Sequence, residues 1–189
     1  MAARFVKLCA KGDLDGVWGL LQWEDFDVNS HAKYGMTPLM AAIIWKRSEV
    51  TRLLLERNDI DINQVNFSGQ TVLHHAAWYG YYEELTMLLD DATTNSNTVN
   101  KMDIGGCTPL LLAVDGIHCG NTGAIKCVQI LLNDTRTNPN IRTFYEGDSA
   151  LMCAIKQTQL EVVKLLLGDP RTDLQTRDNY KRSQREITR

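Results

Sequence analysis

The chain has 189 residues, 44% hydrophobic and 23% charged, with four prolines and a formal net charge of −3. This composition excludes a disordered, collagen-like or mucin-like chain, and the acidic balance opposes a general electrostatic grip on nucleic acid. The length suits one domain or a linear stack of short modules.

The amino terminus, MAARFVKLCAKGD, has too short an apolar run for a secretory segment. The longest apolar stretch, Met36 to Trp45, is broken by Thr37 and Pro38 and is too short to span a bilayer. The expected location is cytoplasmic or nuclear. Within residues 1–33, FVKLCAKGDLDGVWGLLQ from Phe5 reads as an opening helix pair with a shortened first helix. Lys7, Lys11 and Asp13 suit an amino-terminal cap, and Trp18 is expected to help cover the end of a stack.

Self-similarity then dominates. YGMTPLMAAI from Tyr34, SGQTVLHHAA from Ser68, GGCTPLLLAV from Gly105 and EGDSALMCAI from Glu146 share one frame. Each precedes a second apolar segment: VTRLLLE from Val50, LTMLLDD from Leu85, CVQILLN from Cys127 and VVKLLLG from Val162. Gly35 to Gly69 is 34 residues, Gly69 to Gly106 is 37 and Gly106 to Gly147 is 41. The frame divides the chain into units 34–67, 68–104, 105–145 and 146–180, with a partial unit or tail at 181–189. One insertion lies in ATTNSNTVNK, and a larger one, 115–123, separates a helix pair and is expected to protrude as a loop.

Each unit has a physical logic. Thr37, Thr71, Thr108 and Ser149 are placed to cap the following helix, and Pro38 and Pro109 fall in its first turn, where a missing N–H costs nothing. Gly35, Gly69, Gly106 and Gly147 sit in the preceding turn. Ala42, Ala76, Ala113 and Ala154 recur where helices must approach closely. The leucine triplets Leu53–Leu55 and Leu165–Leu167, with Met87–Leu89 between them, are expected to point into the core. One helix pair cannot bury both its faces, so stacked neighbours must close a continuous core. IDIN at Ile60 and FDVN at Phe26 match the hairpin of the repeat family that these units resemble. DLQTRDNYKRS from Asp173 begins another, but QREITR lacks the apolar residues of a helix, which suits an array extending past the last residue.

The motifs T-P-L-x-x-A and V-V-x-L-L-L resemble the ankyrin repeat over roughly residues 3–180. The resemblance implies an all-α solenoid of stacked helix-turn-helix repeats joined by β-hairpin-like loops. It also implies a partner-binding face of hairpin tips and exposed inner-helix positions. Carried over unit by unit, these positions fall on His31, Lys33, Tyr34, Met36, Ile44 and Trp45, then on Val65, Phe67, Ser68, Gln70, Trp78 and Tyr79. The third unit supplies Met102, Ile104, Cys107 and Asp115, and the fourth Tyr145, Asp148, Lys156 and Gln157. The aromatic clustering of Tyr34, Trp45, Phe67, Trp78 and Tyr79 favours a protein or peptide partner. Self-association, or packing against the rest of a longer chain, would use the same face. Nucleic-acid or nucleotide stacking, with Lys33, Lys46 and Arg47 supplying charge, is the alternative.

Chemistry finds little support. Five cysteines, an odd number, fit neither a disulfide framework nor a zinc knuckle, and Cys9, Cys127 and Cys153 read as core thiols. His74 holds the position from which, in the resembling family, an imidazole locks one repeat to the next. His75 beside it points elsewhere on the helix. His118 and Cys119, with Asp115 near, lack a third orienting group. Gly105 and Gly106 lack the phosphate-loop spacing, and Asp59 and Asp61 the remaining ligands of a calcium loop. The expectation is a binding module without catalytic residues, cofactor or metal.

Overall fold

A computed structural model describes residues 1–23, 26–175 and 179 of the chain. Its helices pair in chain order. The opening pair is α1 (Ala2–Lys11) and α2 (Leu14–Leu21), followed by α3 (Pro38–Ile44) with α4 (Ser48–Leu55), and α5 (Val72–Tyr79) with α6 (Tyr82–Asp90). After a single turn, α7 (Ser96–Val99), come α8 (Pro109–His118) with α9 (Ala124–Asn133), and α10 (Ala150–Lys156) with α11 (Leu160–Gly168). The inner helices α1, α3, α5, α8 and α10 stack side by side, and α2 packs on α4, α6 on α9, and α9 on α11. No β-strand occurs among the described residues, so the fold is an all-α solenoid of helix pairs. The tail 181–189 and the QREITR segment lie outside the described residues.

Local chemistry starts the inner helices from α3 onward. The Thr37 hydroxyl accepts the Met40 N–H at 3.1 Å, and Thr108 and Ser149 do the same for Leu111 and Met152 at 3.4 Å. Thr71 differs. It forms a reciprocal capping box, its side chain facing the His74 backbone N–H while its own N–H donates to His74 Nδ1 at 3.1 Å, and its hydroxyl also meets that ring nitrogen at 2.9 Å.

Each inner helix stops in a left-handed residue, whose successor donates back to a carbonyl five positions earlier: Arg47 to Ala42, Tyr81 to Ala76 and Gln159 to Ala154, at 2.8–2.9 Å. Gly80 takes the left-handed place in α5, whereas Lys46 (φ 49) and Thr158 (φ 56) adopt it without glycine's freedom. That strain is on the order of 1 kcal/mol each, and the back-bond offsets it.

The 115–123 insertion is not a loop throughout. Gly106 to Ala124 spans 18 residues, against 13 from Gly35 to Ser48, Gly69 to Tyr82 and Gly147 to Leu160. Part of the excess lengthens α8 through Asp115–His118, and the back-bond moves to Asn121 N–H on Gly116. The turn also grips the preceding repeat. Asn121 Nδ2 donates to the Trp78 carbonyl at 2.6 Å, and a Cβ on Gly123 would fall 2.0 Å from the Gly80 carbonyl oxygen. Other expectations need correction too. The first helix of the opening pair is not shortened, since α1 is a full ten residues. In the leucine triplets only the middle residue (Leu54, Leu88 or Leu166) is fully enclosed; Leu53, Leu55 and Leu165 are half-buried. Leu167, beyond which no outer helix is described, is exposed. Trp18 is 56% exposed and shields little.

Between repeats, side chains tie backbones together. Asn29, Asn100 and Asn140 each donate from Nδ2 to one carbonyl of the next unit and accept a backbone N–H from it, at 2.7–2.8 Å. Arg136, paired with Asp134, reaches the Leu89 and Thr94 carbonyls at 2.8 and 2.7 Å. Arg171, paired with Asp169, reaches those of Leu132, Asp134 and Thr137. These guanidinium groups satisfy carbonyls that a helix end leaves open.

Candidate functional site

The hairpin tips are joined by single backbone bonds. Phe67 N–H donates to Tyr34 O, Ile104 N–H to Ser68 O and Phe144 N–H to Gly105 O, each at 3.0 Å. These bonds set the true register of the tips. Three hairpins close over four positions (Ala32 to Met36, Asn66 to Gln70, Asp103 to Cys107), but the fourth closes over five, Thr143 to Asp148. The residue equivalent to Phe67 and Ile104 is therefore Phe144. Counting back from Gly147 selects Tyr145, which is the extra residue of the longer tip, and passes over Phe144. Lys33, Phe67, Ile104 and Phe144 form one row of exposed tips, with Tyr34 and Tyr145 exposed beside it.

Two of these rings rest on glycine. A Cβ on Gly35 (φ 73) would lie 2.8 Å from Phe67 Cδ1, and one on Gly106 (φ 79) would lie 2.8 Å from the Phe144 ring. Left-handed backbone and close approach both demand glycine there. The rings keep one face on the preceding turn and the other toward solvent.

The inner-helix ends supply a second group. Trp45 and Tyr79 follow Gly35 and Gly69 by ten residues each and are 61% and 36% exposed. Tyr79 stacks on Tyr81 with ring centroids 5.5 Å apart, and the Lys46 ammonium stands 5.2 Å from the Tyr81 ring. The turn after α3 is thereby linked to the turn after α5. Trp78 is half-buried, its carbonyl taken by Asn121, and Ile44 and Met36 are half-buried, Met36 against the core. Gln70 bonds Asp103 across repeats at 3.2 Å. Lys33 lies 4.7 Å over Tyr34 and Lys126 4.3 Å over Tyr82, so each of these ammonium groups is already engaged with a ring of this chain.

Several groups capable of chemistry are engaged or hindered, whereas Cys119 is an exposed free thiol. His74 is buried: Nδ1 accepts from Thr71, leaving the proton on Nε2, which donates to Cys107 O at 3.1 Å in the next repeat. Burial drives its pKa, and that of His75, down to about 4. Burial likewise pushes the Cys9, Cys107 and Cys127 thiols up to about 12, and Cys153 higher still, which makes them poor nucleophiles. Among the described residues, no group of three or more His, Cys, Asp or Glu side chains could hold a metal ion.

In the fourth unit, Lys156 bridges Glu146 at 2.6 Å and Asp148 at 2.5 Å, and Gln157 donates to Asp115 at 2.8 Å. Burial raises the Asp148 carboxyl against the opposing pull of Lys156.

A family model of ankyrin repeats in three copies matches residues 5–100 and again 93–178. The B-cell lymphoma 3 protein homolog of Mus musculus is 30% identical over 141 residues, covering 75% of this chain and 30% of that protein. NF-kappa-B inhibitor delta of Mus musculus is 27% identical over 178 residues, 86% of this chain and 52% of its own. An ankyrin repeat and KH domain-containing protein of Caenorhabditis briggsae is 29% identical over 152 residues, 79% of this chain and 5% of its own. The chain spans about half the length of these relatives, or less. With its recurring helix pairs matched by that model almost from end to end, the chain belongs to the ankyrin-repeat family.

Proposed function

We propose that the chain is a protein-binding module whose concave face, made of the hairpin tips and the exposed side of the inner helices, holds a segment of a partner protein. The observation that carries this reading is the pair Trp45 and Tyr79, exposed at equivalent places in successive repeats and linked through Tyr81 and Lys46. Successive hairpins contribute two chain passes each, so equivalent positions stand roughly 10 Å apart, within reach of one bound helix or extended peptide. Lys33, Tyr34, Met36, Ile44, Phe67, Gln70, Trp78, Ile104 and Tyr145 extend the face, and Phe144 joins them. NF-kappa-B inhibitor delta is named for action on another protein, which supports the same class of partner.

Nucleic-acid stacking gains nothing from the structure, because Lys33 and Lys46 are engaged with tyrosine rings of the chain itself. Among the described residues no helix is long and apolar enough to cross a membrane. The reading places the chain in the cytoplasm or nucleus, where free thiols stay reduced.

The test pairs a thermal melt with affinity for a partner captured on the intact chain. Trp45→Ala should melt close to the parent and weaken binding by about 2 kcal/mol or more. A melt far below the parent, or unchanged affinity, would remove Trp45 from the binding face.

A further inference from the structure

The proposed face has two chemically unlike halves. Around α3 and α5 it is aromatic, with Trp45, Trp78 and Tyr79. In the fourth repeat it is rich in carboxylates: Glu146 and Asp148 share the ammonium of Lys156, and Asp115 accepts from the neighbouring Gln157. Asp148 is 4% exposed, and only its Oδ2 meets Lys156; its Oδ1 is buried with no hydrogen-bond partner. A buried carboxylate oxygen without a donor in the chain is costly, and it calls for a donor from outside the chain, a water or a ligand group.

Position favours the ligand group. Asp148 follows Gly147 as Met36 follows Gly35 and Gln70 follows Gly69, and Lys156 holds the inner-helix place of Ile44 and Trp78. The orphan oxygen thus belongs to the same repeat frame as the aromatic residues. The Lys156 side chain is 23% exposed and already divides itself between two carboxylates. It can keep Glu146 and release Asp148.

We propose that this end of the face is a subsite for a cationic side chain, arginine above all, of the bound partner segment. The guanidinium takes both oxygens of Asp148 in a bidentate pair while Lys156 stays on Glu146. The inference rests on the groove reading above and narrows its occupant to a segment with an apolar or aromatic anchor at one end and a basic residue at the other. Two repeats separate the hairpin before Tyr79 from the one carrying Asp148, roughly 20 Å at two chain passes per hairpin. A helical partner covers that distance in roughly 13 residues and an extended one in roughly six.

The experiment selects a phage-displayed library of random peptides of roughly 16 residues, long enough for either spacing, on the intact chain. The consensus peptide is then synthesised, and its basic residue is replaced by citrulline (for arginine) or norleucine (for lysine). The expected consensus joins an apolar anchor to a basic residue at one of the two spacings. Neutralising that residue should weaken binding about tenfold. Asp148→Asn should cost the parent peptide a similar factor and the neutralised peptide almost nothing more. Should Asp148→Asn fail to fold, the peptide-side replacement still decides the matter. A consensus without a basic residue, or a neutralised peptide that binds as well as its parent, overturns the subsite and leaves the groove standing if Trp45→Ala still weakens binding. If Trp45→Ala weakens none of the selected peptides, or the library yields no binder, the groove reading falls and the subsite with it.

Discussion

Replacing His74 by leucine tests the strongest inter-repeat contact. The ring serves three buried groups: the Thr71 N–H at 3.1 Å, the Thr71 hydroxyl at 2.9 Å and the Cys107 carbonyl at 3.1 Å. Leucine fills much of the space but leaves all three without their partner. At about 1 kcal/mol net for each lost bond, the cost is about 3 kcal/mol near pH 8. Acid should then narrow the difference. In the folded chain burial holds His74 at about 4, against 6.5 for the free side chain, so below 6.5 the unfolded chain binds a proton that the folded chain refuses. Stability from this group is therefore full above 6.5 and falls as pH drops toward 4. Between about pH 8 and pH 5 the parent loses about 2 kcal/mol through His74 and a similar amount through His75. His74→Leu retains only the His75 share of that loss. The gap between the two proteins should thus shrink from about 3 to about 1 kcal/mol. Urea unfolding at both pH values, followed by far-ultraviolet circular dichroism, measures the gap directly. A gap that stays constant or widens in acid would refute both the buried neutral ring and its assigned tautomer.

The other expectations are simpler. Thr71→Ala, measured by the same urea unfolding, should cost about 1 kcal/mol, less than His74→Leu, since only the hydroxyl contact disappears; an equal loss would mean that the ring bonds count for little. Gly123→Ala should destabilise by about 2 kcal/mol or more, because the new methyl would meet the Gly80 carbonyl backbone at 2.0 Å; an unchanged melt would show that the turn is free to move. Thr93→Arg should stabilise by about 1 kcal/mol, because Thr93 follows Asp91 as Arg136 follows Asp134 and Arg171 follows Asp169. No gain in the melting temperature would mean that the end of α4 is beyond the new guanidinium.

The repeat frame was legible because it is a pattern of local chemistry. A hydroxyl that caps, a small residue that permits approach and a leucine that must be buried each leave a mark within a few residues, and the hydroxyls of Thr37, Thr71, Thr108 and Ser149 all cap where the spacing implies. The errors arose where partners lie far along the chain. Asp-Gly-Ile-His reads as a turn, since glycine disfavours helix. Yet α8 runs through it, because a side chain on Gly116 would strike the Trp78 carbonyl at 2.4 Å. The glycine serves contact with the preceding repeat rather than a bend.

The hairpin tips follow the same rule. Tyr145 and Phe144 are adjacent and both aromatic, so composition cannot choose between them. The choice is made by Phe144 N–H bonding to Gly105 O across 39 positions. Asn29, Asn100 and Asn140 repeat the lesson, since FDVN marks a hairpin but not which carbonyl of the next unit its asparagine holds. Where that tie changes, the junction changes. Asn63 meets the Thr98 hydroxyl of the α7 insertion instead of a backbone pair, and Thr93 stands where an arginine would reach back. The tie between the outer helices of that junction is the Ser48 hydroxyl on buried Glu84 at 2.5 Å. With the backbone asparagine tie and the arginine both replaced between α4 and α6, that is where the stack should open first, whereas the junctions held by Arg136 and Arg171 should open only with the global transition.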